Sequence, residues 1–365
     1  MARKTRPSIP PRALLLRRDP ALAAEFAGLR YVNPEERGYT RRRCGRGFAY
    51  YDKRGGLITN ARIKARIGKL AIPPAWTEVW ICASARGHVQ ATGYDDRNRK
   101  QYIYHAEWIA VRDRAKFSAL PAFGRALPSI RSRVLEDIGR EEFGFEKAVA
   151  TVIRFMDDTL IRVGNLRYTK ANSTFGLTTL RKRHVEIEQH EVCLQFIGKG
   201  GKRIHLCVED AELAALAREC VEIPGYHLFK FFDEQGRRRR VESHHVNAYL
   251  QDAAGAPFTA KDFRTWSAST SAAETLWETG AEAESQRARK SVVTAMVESV
   301  ADQLQNTPTV CRGSYIHPRI IESYMDGSFL PHYERALETA IEKPVEHLGT
   351  AESALIELLP AIRVA

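Results

Sequence analysis

Phe145-Glu-Lys-Ala-Val149-Ala-Thr-Val152-Ile153-Arg-Phe-Met156-Asp-Asp-Thr-Leu160-Ile161 decides the fold class. Val149, Val152, Ile153, Met156 and Leu160 recur at steps of three and four, so they share one apolar helical face. The stripe is a core face, with no cofactor role for Met156. The chain upstream has a different period. From Tyr31 to about Tyr104 short segments punctuated by turns favour strands: Gly38–Arg41, Phe48–Tyr51, Leu57–Thr59, Glu78–Ala83, His88–Thr92 and Lys100–Tyr104. Gly55-Gly56, Ala85-Arg-Gly87 and Asp95-Asp-Arg-Asn98 supply the turns, and a short helix near Ile63–Leu70 ends at Pro73-Pro74.

Downstream, strands are expected at His184–Ile187, Glu191–Ile197 and Arg203–Val208, with Gly198-Lys-Gly-Gly201 as the turn between the last two. Lys199 therefore sits at a hairpin tip. Helices are expected at Glu209–Cys220, at Ser243–Leu250, along the stripe Val293, Met296, Val297, Val300 and Leu304, and from Pro331 to Leu359. The fold class is α+β. Residues 1–30 read as a basic flexible arm broken by prolines, 31–105 as a β-rich module, and 106–365 as a larger, mainly helical module.

A chain of 365 residues with 44% hydrophobic residues can bury two proper cores. A net charge of +12 favours a polyanionic partner through counterion release. The six cysteines form no C-x-x-C pair and no zinc spacing, so reduced, mostly buried thiols are expected. No apolar run approaches a membrane span, and Ala13-Leu-Leu-Leu16 is too short for a signal-peptide core. These features point to a cytoplasmic protein. Gly198-Lys-Gly-Gly is not a nucleotide loop, because it lacks the P-loop pattern and joins two strands. Asp157 and Asp158 are adjacent and diverge on a helix, so no paired-metal site is expected. Neither a metal nor another cofactor is anticipated.

Four residues can together cleave a phosphodiester without metal. Arginine forks, here Arg162 and Arg264, hold the non-bridging oxygens as charge builds on them. Lys199 can protonate the departing alkoxide. Tyr315 can attack and conserve the broken bond as a phosphotyrosyl ester, provided nearby cations favour its phenolate. Taken singly each has a plainer role: Arg162 at a helix C-terminus, Lys199 on an exposed turn, Arg264 in solvent, Tyr315 in packing.

Ordered blocks add weight: Leu70-Ala-Ile-Pro-Pro-Ala-Trp76, Lys100-Gln-Tyr-Ile-Tyr-His105, Leu160-Ile-Arg-Val-Gly-Asn165, Phe175-Gly-Leu-Thr-Thr-Leu180, Ala260-Lys-Asp-Phe-Arg-Thr-Trp266, Asn306-Thr-Pro308 and Tyr315-Ile-His-Pro318. With them the chain resembles the poxvirus-like type IB DNA topoisomerases, their bacterial members in particular, from about Gly38 to Gly327. The resemblance implies that Arg162 and Arg264 contact the scissile phosphate, Lys199 is the acid and Tyr315 the nucleophile. Asn306 stands where the viral enzymes have histidine, and it implies a neutral donor to a phosphoryl oxygen. Tyr102 and Tyr104, flanked by Arg99 and Lys100, alternate on one strand face that the family lays against DNA, and Arg167 and Tyr168 match further DNA-contacting positions. The implied partner is double-stranded DNA, engaged by a nucleoid-associated monomer that closes around the duplex without a nucleotide cofactor. The alternative is a tyrosine site-specific recombinase using the same chemistry. Recombinases usually carry H-x-x-R at the second arginine, whereas this chain has Lys261-Asp-Phe-Arg264.

Overall fold

The computed structural model describes residues 12–166, 169, 173–280, 283 and 285–362. Two compact units divide the chain, Met1–Ala119 and Leu120–Ala365. In the first, a five-stranded antiparallel sheet has the order β2-β1-β3-β4-β5, with β1 Tyr39–Cys44, β2 Gly47–Tyr51, β3 Thr77–Ile81, β4 Val89–Tyr94 and β5 Lys100–Tyr104. Helix α3 (Ala61–Lys69) closes one sheet face, where Ile67, Val79, Ile81 and Ala91 form the core. Asn60 caps α3 by accepting from the amides of Arg62 and Ile63. Leu57 makes only an isolated bridge to Tyr51 rather than the strand expected at Leu57–Thr59.

The basic arm expected over residues 1–30 is corrected from Arg12 onward. Helices α1 (Arg12–Arg18) and α2 (Pro20–Phe26) bury Leu16, Ala23 and Ala24 against Trp108, Val111 and Ala115 of α4 (Ala106–Ser118). Asp19 caps α2, accepting from Ala21 and Leu22, and Pro20 occupies the first helical position where no donor is needed. The arm is short but apolar on one side, and that face decides its state. Residues 1–11 lie outside the described residues.

In the second unit, α5 (Leu120–Ile138) lies against α6 (Phe145–Thr159), α8 (Ser243–Ala254), α9 (Ala260–Gly280) and α14 (Thr350–Ala361). Val149, Val152, Ile153 and Met156 of the α6 stripe are buried as expected, while Leu160 is half-buried just past the helix end, and Phe123, Phe258, Phe263 and Trp266 meet edge to face at the centre. A three-stranded sheet, β6 (Val185–Glu188), β7 (Glu191–Ile197) and β8 (Arg203–Glu209), packs on α7 (Ala211–Glu222). A second hairpin pairs β9 (Lys230–Phe232) with β10 (Arg238–Arg240), part of the arginine run. Then follow α10 (Gln286–Gln303), α11 (Pro308–Ser314), α12 (Pro318–Asp326) and α13 (Phe329–Glu342). The single helical stretch expected from Pro331 to Leu359 is two helices, α13 and α14, since Pro344 and Gly349 interrupt it. Nor are all thiols free: Cys193 and Cys207 form a disulfide, while Cys82, Cys220 and Cys311 are buried thiols and Cys44 is exposed.

One ionic cluster ties α14 to the centre. Arg131 of α5 donates to Asp157 of α6 at 2.7 and 3.1 Å and to Glu352 of α14 at 2.6 and 3.0 Å. Glu352 also accepts the indole Nε1–H of Trp266 at 2.8 Å. Removing one partner from such a cluster strands the others. Glu352→Ala should cost about 3 kcal/mol in a denaturant melt. Glu352→Gln, which keeps the bulk and an acceptor for Trp266, should cost less; equal losses would show that the cluster depends on the carboxylate's charge alone.

Candidate active site

Arg264 projects from the first turns of α9 and is buried. Its Nη2 donates to the carbonyl of Leu304 at 2.7 Å and its Nη1 to the carbonyl of Leu160. These carbonyls end α10 and α6, where the helix dipole is negative and acceptors are otherwise unmet. Leu160 is itself left-handed, with φ 54°, which turns the chain sharply and sends Arg162 out of the helix line. Burial, followed by the like charge of Arg162, pulls the Arg264 guanidinium down to about 10, still protonated near neutrality.

Arg162 is held by its backbone. Its carbonyl accepts from the amide of Leu177 at 2.9 Å, and the carbonyl of Val163 accepts from the amide and hydroxyl of Thr178 at 2.8 and 2.9 Å. This approach of two segments requires Gly176: a Cβ there would lie 2.4 Å from the Arg162 carbonyl and 2.6 Å from Gly164 Cα. Arg162 Nη2 donates to Asn306 Oδ1. Asn306 follows Gln305, whose φ is 53°, and its amide nitrogen donates to Ala301 at 2.8 Å. Among the described residues, Asn306 Nδ2 and Arg264 Nε are buried donors without a hydrogen-bond partner. Such orphaned donors are costly unless a ligand meets them.

Tyr315 caps the C-terminus of α11, a helix opened by Thr307 and Pro308. Its ring centroid lies 5.2 Å from Arg264 Cζ. Burial alone would push the phenol up, but the charge of Arg264, with lesser help from Arg162 and Lys199, outweighs it, and the phenol titrates below ordinary tyrosine. Lys199 is exposed at the β7–β8 tip, where Gly200 and Gly201 adopt φ 80°. It lines one small cleft with Arg162 and Arg264. The structure thus brings Arg162, Lys199, Arg264, Asn306 and Tyr315 together.

Two supporting residues escaped the sequence reading. Lys202 Nζ donates to the Asn306 carbonyl at 3.1 Å, tying the hairpin to the α10–α11 connection. Ser269, on α9, donates to the Tyr315 carbonyl at 3.3 Å and accepts from the His317 amide at 3.0 Å. A lysine in a glycine-rich turn and a serine mid-helix carry no distinctive signal alone; only Lys202's nearness to Lys199 could have flagged it.

On the first unit, Tyr102 and Tyr104 stack at 5.8 Å on the outer face of β5, both well exposed, with Lys100 Nζ 5.9 Å from the Tyr102 ring. Arg99 pairs with Asp95 at 2.6 Å. Arg167 and Tyr168 lie outside the described residues.

Residues 105–336 match the family described as eukaryotic DNA topoisomerase I, catalytic core, and residues 47–95 match the bacterial DNA topoisomerase IB N-terminal domain. The chain is 30% identical over 304 residues to DNA topoisomerase 1B of Acanthamoeba polyphaga mimivirus, covering 81% of this chain and 90% of the relative. It is 20% identical over 243 residues to DNA topoisomerase 1B of vaccinia virus (strain Copenhagen), covering 65% and 73%. DNA topoisomerase 1 of rabbit fibroma virus (strain Kasza) is 22% identical over 238 residues, covering 63% of this chain and 70% of that relative.

The close passage at Gly176 gives a direct test of the site's scaffold. Gly176→Ala should displace the Arg162 loop and slow DNA cleavage by at least about tenfold, because small misplacements of a catalytic group are costly. Duplex affinity and the unfolding transition should change far less. Unchanged single-turnover cleavage would show that the loop accommodates a side chain.

Proposed function

Because the chain belongs to the type IB DNA topoisomerase family, we propose that it relaxes supercoiled duplex DNA with Tyr315 as the nucleophile. The Tyr315 oxygen attacks a backbone phosphorus, and the bond from phosphorus to the 5′-oxygen breaks. This leaves a 3′-phosphotyrosyl ester and a 5′-hydroxyl that has taken a proton from Lys199. Arg162 and Arg264 stabilise the charge that shifts to the non-bridging oxygens, and Asn306 Nδ2 donates to one of them. Rotation of the free end dissipates torsion. The 5′-hydroxyl then reverses the reaction, and the stored ester makes ATP unnecessary.

The observation that carries this reading is the phenol held under a buried guanidinium beside unmet buried donors. Tyr102, Tyr104, Lys100 and Arg99 are the proposed duplex contacts of the first unit, ring faces and cations suiting groove and phosphate. The protein acts as a monomer on cytoplasmic, nucleoid DNA. No helix among the described residues is long and apolar enough to cross a membrane. The match to a bacterial topoisomerase IB N-terminal domain weighs against the recombinase alternative.

Wild-type protein should relax both supercoil signs in EDTA without ATP and leave a denaturant-stable covalent DNA adduct. Tyr315→Phe should abolish the adduct and relaxation while retaining duplex binding. An adduct that persists in Tyr315→Phe would place the nucleophile elsewhere.

Single-turnover cleavage should rise with pH as the phenolate population grows, with a midpoint below the ordinary tyrosine value of about 10. Arg264→Gln removes the principal cation lowering that value, so the midpoint should move up and the rate at neutral pH should fall. Arg264→Lys should shift it less. A pH profile identical in all three proteins would remove Arg264 from control of the phenol.

A further inference from the structure

The outer face of the β7–β8 hairpin gathers side chains with no part in the phosphoryl chemistry. Cys193 and Cys207 are directly opposed across the ladder and joined as a disulfide. His205 precedes Cys207 by two residues on the same face, with Nε2 4.0 Å from Cys207 Sγ. Two residues before Cys193 on β7, Glu191 places its Oε2 3.6 Å from Cys193 Sγ. The two sulfurs and the imidazole nitrogen all lie within 4.8 Å of one another, and Cys207 and His205 are exposed.

We propose that Cys193, His205 and Cys207 form a three-donor site for a soft divalent cation, zinc being the fitting case, that opens when the Cys193–Cys207 disulfide is reduced. Two thiolates and an imidazole are a zinc ligand set, and the Glu191 carboxylate or a water completes four-coordination. Zinc–sulfur and zinc–nitrogen bonds of about 2.3 and 2.0 Å place tetrahedral donors roughly 3.5–3.8 Å apart. The three donors already lie within that neighbourhood, so the sulfurs need only separate by side-chain rotation on an open face. The opposite face stays anchored, since Val192, Leu194, Phe196 and Ile204 are buried.

The redox step balances with a small-molecule thiol. Two such thiols are oxidised to their disulfide, and their two electrons and two protons reduce the Cys193–Cys207 bond to two thiols. Zinc then displaces those two protons into solvent. The remaining cysteines cannot substitute: Cys82, Cys220 and Cys311 are buried, and Cys44 is a lone exposed thiol on the other unit. The sequence hides this site because strand pairing, not spacing, brings its donors together. The inference is independent of the proposed reaction.

The test uses the full chain reduced with a phosphine, gel-filtered, and titrated with zinc chloride against a chromophoric chelator. The reduced wild type should retain a single zinc equivalent. The same protein oxidised with glutathione disulfide, and the reduced Cys193→Ser variant, should retain almost none. His205→Ala should weaken zinc by at least about tenfold, since even groups behind a ligand commonly matter that much. Cobalt(II) in the reduced wild type should give a thiolate charge-transfer band that is absent from the oxidised protein. Equal zinc retention by reduced wild type and Cys193→Ser overturns the site, as does equal retention by reduced and oxidised wild type. Unchanged affinity in His205→Ala overturns the three-donor set. The oxidised wild type carries no substitution, so its result does not depend on a variant folding.

Discussion

Among the described residues the buried Arg264 guanidinium has no carboxylate partner, and that constraint governs the second unit. Arg264 loses its water, and a bare cation in that position would be untenable. It is compensated by the carbonyls that end α6 and α10, which are dipoles rather than full charges. The arrangement satisfies two N–H groups and leaves the positive charge largely unspent. That residual field reaches the Tyr315 ring and pulls the phenol toward ionisation. A carboxylate in the same place would have neutralised it.

The rest of the unit sharpens the contrast. Arg131 is matched by Asp157 and Glu352, Arg133 by Asp252, Arg140 by Asp137, and Arg154 by Asp158 and Asp210. Among the described residues, none of Arg162, Lys199 and Arg264 has such an ion pair. These scaffold arginines are neutralised locally, whereas Arg162 and Arg264 donate to an amide oxygen and to carbonyls, as the buried Lys230 outside the site also does.

Local signals were legible wherever one element sufficed to interpret them. The α6 stripe required only period, the Lys199 turn only glycines between two strand-like runs, and the Tyr102–Tyr104 face only alternation. What escaped depends on distant partners. Residues 12–26 looked like an arm because their prolines and arginines were visible, while the α4 face that buries Leu16 and Ala23 lies far along the chain. Pro344 and Gly349 were passed over because helical composition resumes beyond them. Ser269, Lys202 and Glu352 are ordinary residues that matter through contacts spanning up to 221 positions. The candidate site residues were singled out for a different reason: Arg162, Arg264, Asn306 and Tyr315 lie in the ordered blocks that carry the resemblance, and their spacing carried no geometry by itself.

Asn306 shows how a neutral group can serve among charged ones. Its Oδ1 accepts from Arg162, which fixes the amide orientation and leaves Nδ2 as the buried donor still without a partner. An imidazole in that position would change charge across the physiological range. An amide does not titrate, so the hydrogen bonds it can offer have the same character at every pH. The orienting contact also joins Arg162 to Asn306, so the two side chains are held as a single set. Its geometry is set by the turn at Leu160 and the left-handed Gln305, both established before any DNA arrives.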